Sequence, residues 1–339
     1  MSSVVAKVFV FGVLLMIGVF LFLFLLPARS FDFYIKNPQS EPKIGLTFST
    51  YYTRDILKLD IEETYGAIIE DLDPQYMRIP IYWPDIEPQK DNFDFSVYDS
   101  LIAQASNSQI SIIPVIGRRQ PRWPECFTPK WAEVLSKEEQ EEEILGMLRE
   151  IVGRYQKQKW IEGWQIENEP FFQFFGVCPK PKPKFLDREI ELVRSLDSRP
   201  IILTDSGELG WWFGAARRAD FFGTTLYRQV WNDFLKEVNY IWPPQFYVFK
   251  ERITNIFFDP KEFWIIELQA EPWTPVTIPE YAIDAQLRLF DGENLKENLK
   301  FAKATGFDRI YLWGAEWWYW LKTKDHSELW DEAQLIFER

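Results

Sequence analysis

The chain has 339 residues, a hydrophobic share of 47% and a formal net charge of −13 at neutral pH. That acidic balance argues against nucleic acid as a partner, because phosphate binding needs a basic surface that releases counterions. The single histidine, His326, lies in Lys-Asp-His-Ser-Glu and reads as part of a polar helix start. Histidine-rich metal sites and imidazole-centred triads are thereby set aside, and the chemistry is expected to run on carboxylates without metal or cofactor.

In chain order, the first feature is an unbroken apolar run with glycines and no charge from Val8 to Leu26. At about 1.5 Å per residue it spans about 28 Å, close to the hydrocarbon thickness of a bilayer. Residues 1–30 are therefore expected to form an N-terminal transmembrane helix that contacts the lipid bilayer through residues 8–26. Lys7 before the run suits a single-pass, N-inside orientation. A cleaved signal peptide is the competing reading, with Ala28-Arg29-Ser30 as the cleavage site, and would make the protein secreted. The run is longer than the roughly 7–15 residues of a signal h-region. Residues 31–43 read as a tether and 44–339 as the main domain, placed outside the cytoplasm on either reading.

From Lys43 onward short β-rich runs alternate with longer helical patterns, as in a parallel sheet with crossover helices. The predicted strands are Ile44–Phe48, Tyr76–Ile81, Ile110–Ile116, Ile161–Ile166, Pro200–Thr204, Asp220–Thr225, Phe263–Glu267 and Arg309–Trp313. Helical patterns lie over Ile61–Leu72, Val97–Ala105, Glu138–Tyr155, Leu186–Leu196, Ile283–Thr305 and Ser327–Glu338. Roughly 37 residues per βα unit suits an α/β fold of the (β/α)₈ TIM-barrel type. An open, doubly wound sheet would need a phosphate-binding glycine loop, and the sequence holds no G-x-G-x-x-G or Walker pattern. Lys180-Pro181-Lys182-Pro183-Lys184 reads as a stiff loop after the fourth strand.

In such a barrel the active site lies at the C-terminal ends of the strands. There the sequence places Arg78 and Trp83, then Arg118, Arg119 and Trp123, then Glu167-Asn168-Glu169-Pro170. Asp205 and Glu208, Tyr227, Glu267 with Gln269 and Glu271, and Trp313 with Glu316 follow from the later strands. Acids, an arginine, amides and aromatic rings thus meet on one rim. That mixture suits cleavage of a glycosidic bond, in which one carboxyl protonates the leaving oxygen and another attacks or stabilises the sugar carbon. Different neighbours can hold the two carboxyls in different protonation states.

Asn168-Glu169-Pro170 at the fourth strand end, with Glu267 at the seventh, resembles clan A of the glycoside hydrolases and is closest to family 5. The resemblance covers most of Lys43–Arg339. It implies Glu169 as acid/base, Glu267 as nucleophile and Asn168 as the contact to the sugar 2-hydroxyl. It also matches Arg78, Tyr227 and Trp313 to the clan's arginine, tyrosine and tryptophan around the site. Retention of configuration, with carboxyls about 5–5.5 Å apart, is implied too. Two departures concern the substrate. The third- and fourth-strand regions lack a histidine common in family 5, and Thr225 stands where another is often found.

Glu271, in Glu271-Pro272-Trp273, is the rival nucleophile and is expected in the following loop, in contact with substrate. Glu167 is expected to serve as an ion-pair partner. With 16 tryptophans in the chain, some indole faces are expected to stack on sugar rings. The candidates are Trp123, Trp211, Trp212, Trp273, Trp317 and Trp318. Cys126 and Cys178, the only cysteines, fall in the loops after the third and fourth strands and are expected to form a disulfide across the mouth. The expected partner is an oligo- or polysaccharide. A transglycosylase with the same covalent intermediate and a non-catalytic carbohydrate-binding barrel are the alternatives.

Overall fold

The computed structural model describes residues 41–338 apart from Pro181 and Asp233. The expected membrane segment, residues 8–26, lies outside the described residues; among these, no helix is long and apolar enough to cross a membrane.

Eight parallel strands close into a barrel. They are β1 (Lys43–Thr47), β2 (Tyr76–Pro80), β3 (Ser111–Ile116), β4 (Trp164–Ile166), β5 (Ile201–Asp205), β6 (Phe221–Leu226), β9 (Glu262–Gln269) and β10 (Arg309–Trp313). Two further strands, β7 (Gln229–Asn232) and β8 (Lys236–Asn239), form an antiparallel hairpin after β6. Neither this hairpin nor the helix that follows it, Pro244–Phe257, is apparent in the sequence pattern. The Pro243-Pro244 pair reads as a breaker, yet a proline at the first helical position is pre-set for a helix start. Pro183 likewise opens the helix Pro183–Leu196 inside the stretch expected to be a loop. The long C-terminal helical pattern divides into Ile283–Leu289 and Gly292–Lys303. Asp291 makes the break by accepting from the Asn294 N–H and capping the second piece.

Side chains alternate along each strand. Leu46, Met77, Ile79, Ile112, Ile201, Leu203, Phe222, Ile265 and Leu268 join the core shared with the helices. Ile113, Ile202, Trp264, Ile266 and Tyr311 form a separate buried cluster that fills the barrel interior.

The alternation is broken once where it matters. Along β9, Ile265 pairs with Thr224 but Glu267 pairs with the very next residue, Thr225. On the other side Ile310 pairs with Ile265 and Leu312 with Leu268, again leaving β9 one residue in excess. This is a β-bulge, which re-aims a side chain locally. Strict alternation from the inward-facing Ile266 would turn Glu267 toward the helices. The extra residue lets Ile266 and Glu267 both face inward, and Leu268 faces out again.

Candidate active site

The inward arginine of β2 organises the rim. Arg78 has no solvent exposure and lies across three strand ends. Its Nε–H donates to Gln165 Oε1 at 2.7 Å, its Nη1–H to Glu267 Oε1 at 2.7 Å and its Nη2–H to Asn168 Oδ1 at 2.8 Å. The second oxygen of Glu267 accepts from the Tyr227 hydroxyl at 3.0 Å. Tyr227 is itself fixed, because Glu208 accepts its backbone N–H at 2.8 Å. Glu267, Arg78, Asn168 and Tyr227, read from sequence as one site, are thus brought into direct contact. The strand of Glu267 runs two residues past it, to Gln269, rather than ending there as expected.

Glu169 stands in a different environment. The chain leaves β4 with Glu167 and Glu169 both at positive φ, 56° and 44°, a conformation that costs a non-glycine residue about 1–3 kcal/mol and recurs at functional sites. Neighbouring strands hold it in place. Glu167 N–H donates to the Ile116 carbonyl at 2.8 Å and Asn168 N–H to the Arg119 carbonyl at 2.7 Å. Glu169 N–H donates to Thr204 Oγ1 at 2.8 Å. The Glu167 carboxylate takes the backbone N–H groups of Arg118 and Arg119 at 2.9 and 2.5 Å. Glu167 therefore ties down a loop through amides, not the ion pair expected of it.

The Glu169 carboxyl is 6% exposed, and its Oε1 has no hydrogen-bond partner. Burial, then the nearby carboxylates of Glu125, Glu267 and Asp205, hold it well above the usual carboxylate range against the pull of Arg119. A buried carboxyl with an unengaged oxygen and a second carboxyl gripped by arginine and tyrosine therefore share one rim.

Glu271 is buried and paired with Arg122, and it also accepts hydrogen bonds from Trp313 and Tyr52. Arg122 lies between two rings, 3.5 Å from the Tyr52 centroid and 4.0 Å from that of Trp313, and pairs with Glu316 at 3.5 Å. Trp313 is thus fixed at the site with a guanidinium over its ring. Trp273 is half-buried, 5.4 Å from both Tyr227 and Phe175, and Phe175 leads on to Trp123 at 5.5 Å. Trp123 and Trp211 are exposed, at 56% and 85%. Trp212, Trp317 and Trp318 are fully buried core residues, which removes them as sugar platforms.

Cys126 and Cys178 are bonded, joining the loops after β3 and β4 as expected. Glu125 and Arg122, beside Cys126, were not singled out in the sequence; the disulfide beside them was the signal that they belong to the mouth. Among the described residues, no group of three or more His, Cys, Asp or Glu side chains is placed to hold a metal ion.

No protein-family model matches the sequence, and no curated protein matches it. Solved structures do. A β-galactosidase from Rahnella sp. R3 aligns with a TM-score of 0.58 at 14% identity, covering 83% of this chain and 51% of its own. Endo-glycoceramidase II from Rhodococcus sp., solved as a lactosyl-enzyme intermediate, aligns with a TM-score of 0.53 at 12% identity over 81% of this chain and 73% of its own. A GH5_18 protein from Streptomyces cattleya in complex with GlcNAc gives 0.50 at 13% identity, over 80% and 70%. The chain spans about half the length of the Rahnella galactosidase. All three are glycoside hydrolases, and at these identities the likeness establishes the shared barrel fold.

Proposed function

We propose that the chain is a retaining glycoside hydrolase of the clan A type that cleaves a β-linked glycan by double displacement. The observation that carries this reading is the contrast between Glu267, bonded through both oxygens to Arg78 and Tyr227, and Glu169, buried among carboxylates with a free oxygen. Glu267 attacks the anomeric carbon and forms a glycosyl ester. The bond to the leaving oxygen breaks as Glu169 delivers its proton there. Glu169, now a carboxylate, takes a proton from water, whose oxygen attacks the same carbon and releases Glu267. Two inversions at one carbon retain its configuration.

Arg78 and Tyr227 bond to the two oxygens of the nucleophile and aim it. Arg78 also engages the Asn168 carbonyl oxygen, which leaves the amide nitrogen to donate to the sugar 2-hydroxyl. Trp273 offers a half-exposed ring beside Tyr227, with Trp123 farther out. Trp313 and Glu271 form a wall locked by Arg122. The Cys126–Cys178 disulfide supports an oxidising compartment, and the apolar run over residues 8–26 supports a membrane anchor to it.

The test is a panel of aryl β-glycosides of graded leaving-group acidity, turned over by the wild type and by Glu169→Gln. The variant should lose about 10²–10⁴-fold on poor leaving groups and far less on the most acidic one. Full activity of Glu169→Gln across the panel would sink the reading.

A further inference from the structure

The segment Gly117–Phe127 carries a third carboxyl to the cleft. It folds back on itself: Gln120 N–H donates to the Glu125 carbonyl at 2.7 Å, Glu125 N–H to the Arg122 carbonyl at 2.7 Å and Phe127 N–H to the Arg118 carbonyl at 3.0 Å. The disulfide at Cys126 fastens the returning limb to the loop after β4. Glu125 is 3% exposed. Arg119 donates to its Oε2 from Nε at 2.9 Å and from Nη2 at 2.5 Å. The opposite loop closes on it tightly, for a Cβ on Gly176 would lie 2.6 Å from Glu125 Oε2.

The same guanidinium reaches the backbone around Glu169. Arg119 donates to the carbonyls of Phe172 at 2.5 Å and Phe175 at 3.2 Å. Phe172 N–H in turn donates to the Glu169 carbonyl at 2.9 Å. One arginine therefore links Glu125 to the turn that carries Glu169.

We propose that Glu125 is a positioning residue for Glu169: held by Arg119 at the mouth of the barrel, its negative charge keeps the proton on Glu169 until the leaving oxygen takes it. This rests on Glu169 being the acid/base. The groups facing Glu169 are Glu125, Glu267 and Asp205 on the acidic side and Arg119 on the basic side. Those facing Glu125 are Glu169, Arg119 and Glu267. Burial raises the Glu125 carboxyl to about 7, against Arg119. Once ionised, it opposes the ionisation of Glu169.

The test uses the oxidised, full-length chain and Glu125→Gln, which keeps an oxygen for Arg119 but removes the charge. On the best aryl β-glycoside, the basic limb of kcat/KM should move to lower pH by about one pH unit, while Glu125→Asp leaves it in place. A merely structural role would change the amplitude and leave the limb where it was, and that result overturns the proposal. A second readout needs no turnover. With ¹³C-carboxyl-labelled glutamate and Glu169→Gln for assignment, the Glu169 carbon should titrate lower in Glu125→Gln. If that variant does not fold, the wild-type Glu169 carbon should show a second inflection as Glu125 titrates; a single inflection refutes the coupling. A chain that cleaves no glycoside yet shows both inflections would refute the hydrolase reading and leave the coupling standing.

Discussion

Arg78 donates to Glu267 at 2.7 Å from a position with no solvent exposure, and Glu267 is itself nearly covered. Removing one member of such a buried pair leaves the other charge without compensation, at a cost of about 3–5 kcal/mol. Arg78→Met should therefore lower stability by about that amount and abolish turnover. Arg78→Met combined with Glu267→Gln should recover much of the stability and none of the activity. Urea unfolding of the three proteins checks this; a double variant no more stable than Arg78→Met would show that the arginine acts through packing.

Glu189, on the helix Pro183–Leu196, is raised well above the usual carboxylate range by burial and then by Glu167. A carboxyl raised in the folded state keeps its proton while the unfolded chain loses it. Stability is then full below the unfolded value of about 4.3 and falls as pH rises toward the folded value. Glu189→Gln mimics the protonated form and can donate to Glu167. Its Tm should match the wild type near pH 4 and exceed it at pH 8. Equal Tm values at both would remove the buried-acid account of this contact.

The disulfide joins residues 52 positions apart in sequence, for which chain-entropy arguments give a stabilisation of about 4 kcal/mol. Cys126→Ser with Cys178→Ser should lose stability up to that amount. Activity should fall as well, since the bond fastens the loop that holds Glu125 and Arg122. Unfolding midpoints and kcat/KM of the oxidised wild type and the double variant measure both.

Trp273 packs on Tyr227 at 5.4 Å and keeps part of its ring exposed. Trp273→Ala should lower kcat/KM roughly 10-fold through lost stacking, mainly as a higher KM. Trp211→Ala, at a side chain 85% exposed, should leave both constants within about twofold. The reverse pattern would move the sugar platform to the loop after β5.

The barrel was legible because each strand is a short apolar run between helical patterns. Glu169 was legible because Asn-Glu-Pro follows the fourth of those runs. Glu267 was found by counting strands, but its inward aim depends on a bulge that shows only in the pairing with β6 and β10. Arg122 and Glu125 lie in a loop whose path is set by the disulfide and by long-range bonds, which leave no periodic trace. The tryptophans were the hardest to read. Trp317 and Trp318 occupy a strand-end position suited to the mouth, yet the helix Ala315–Lys322 turns both into the core.

The most direct test of the account is to trap the covalent intermediate. A 2-deoxy-2-fluoro aryl β-glycoside of the sugar selected by the panel slows release of the glycosyl ester, and fragmentation of the labelled peptide locates it. The account predicts one ester, on Glu267, with its formation lost in Glu267→Ala. An ester on Glu271 would contradict the assignment and transfer the nucleophile to the residue now paired with Arg122.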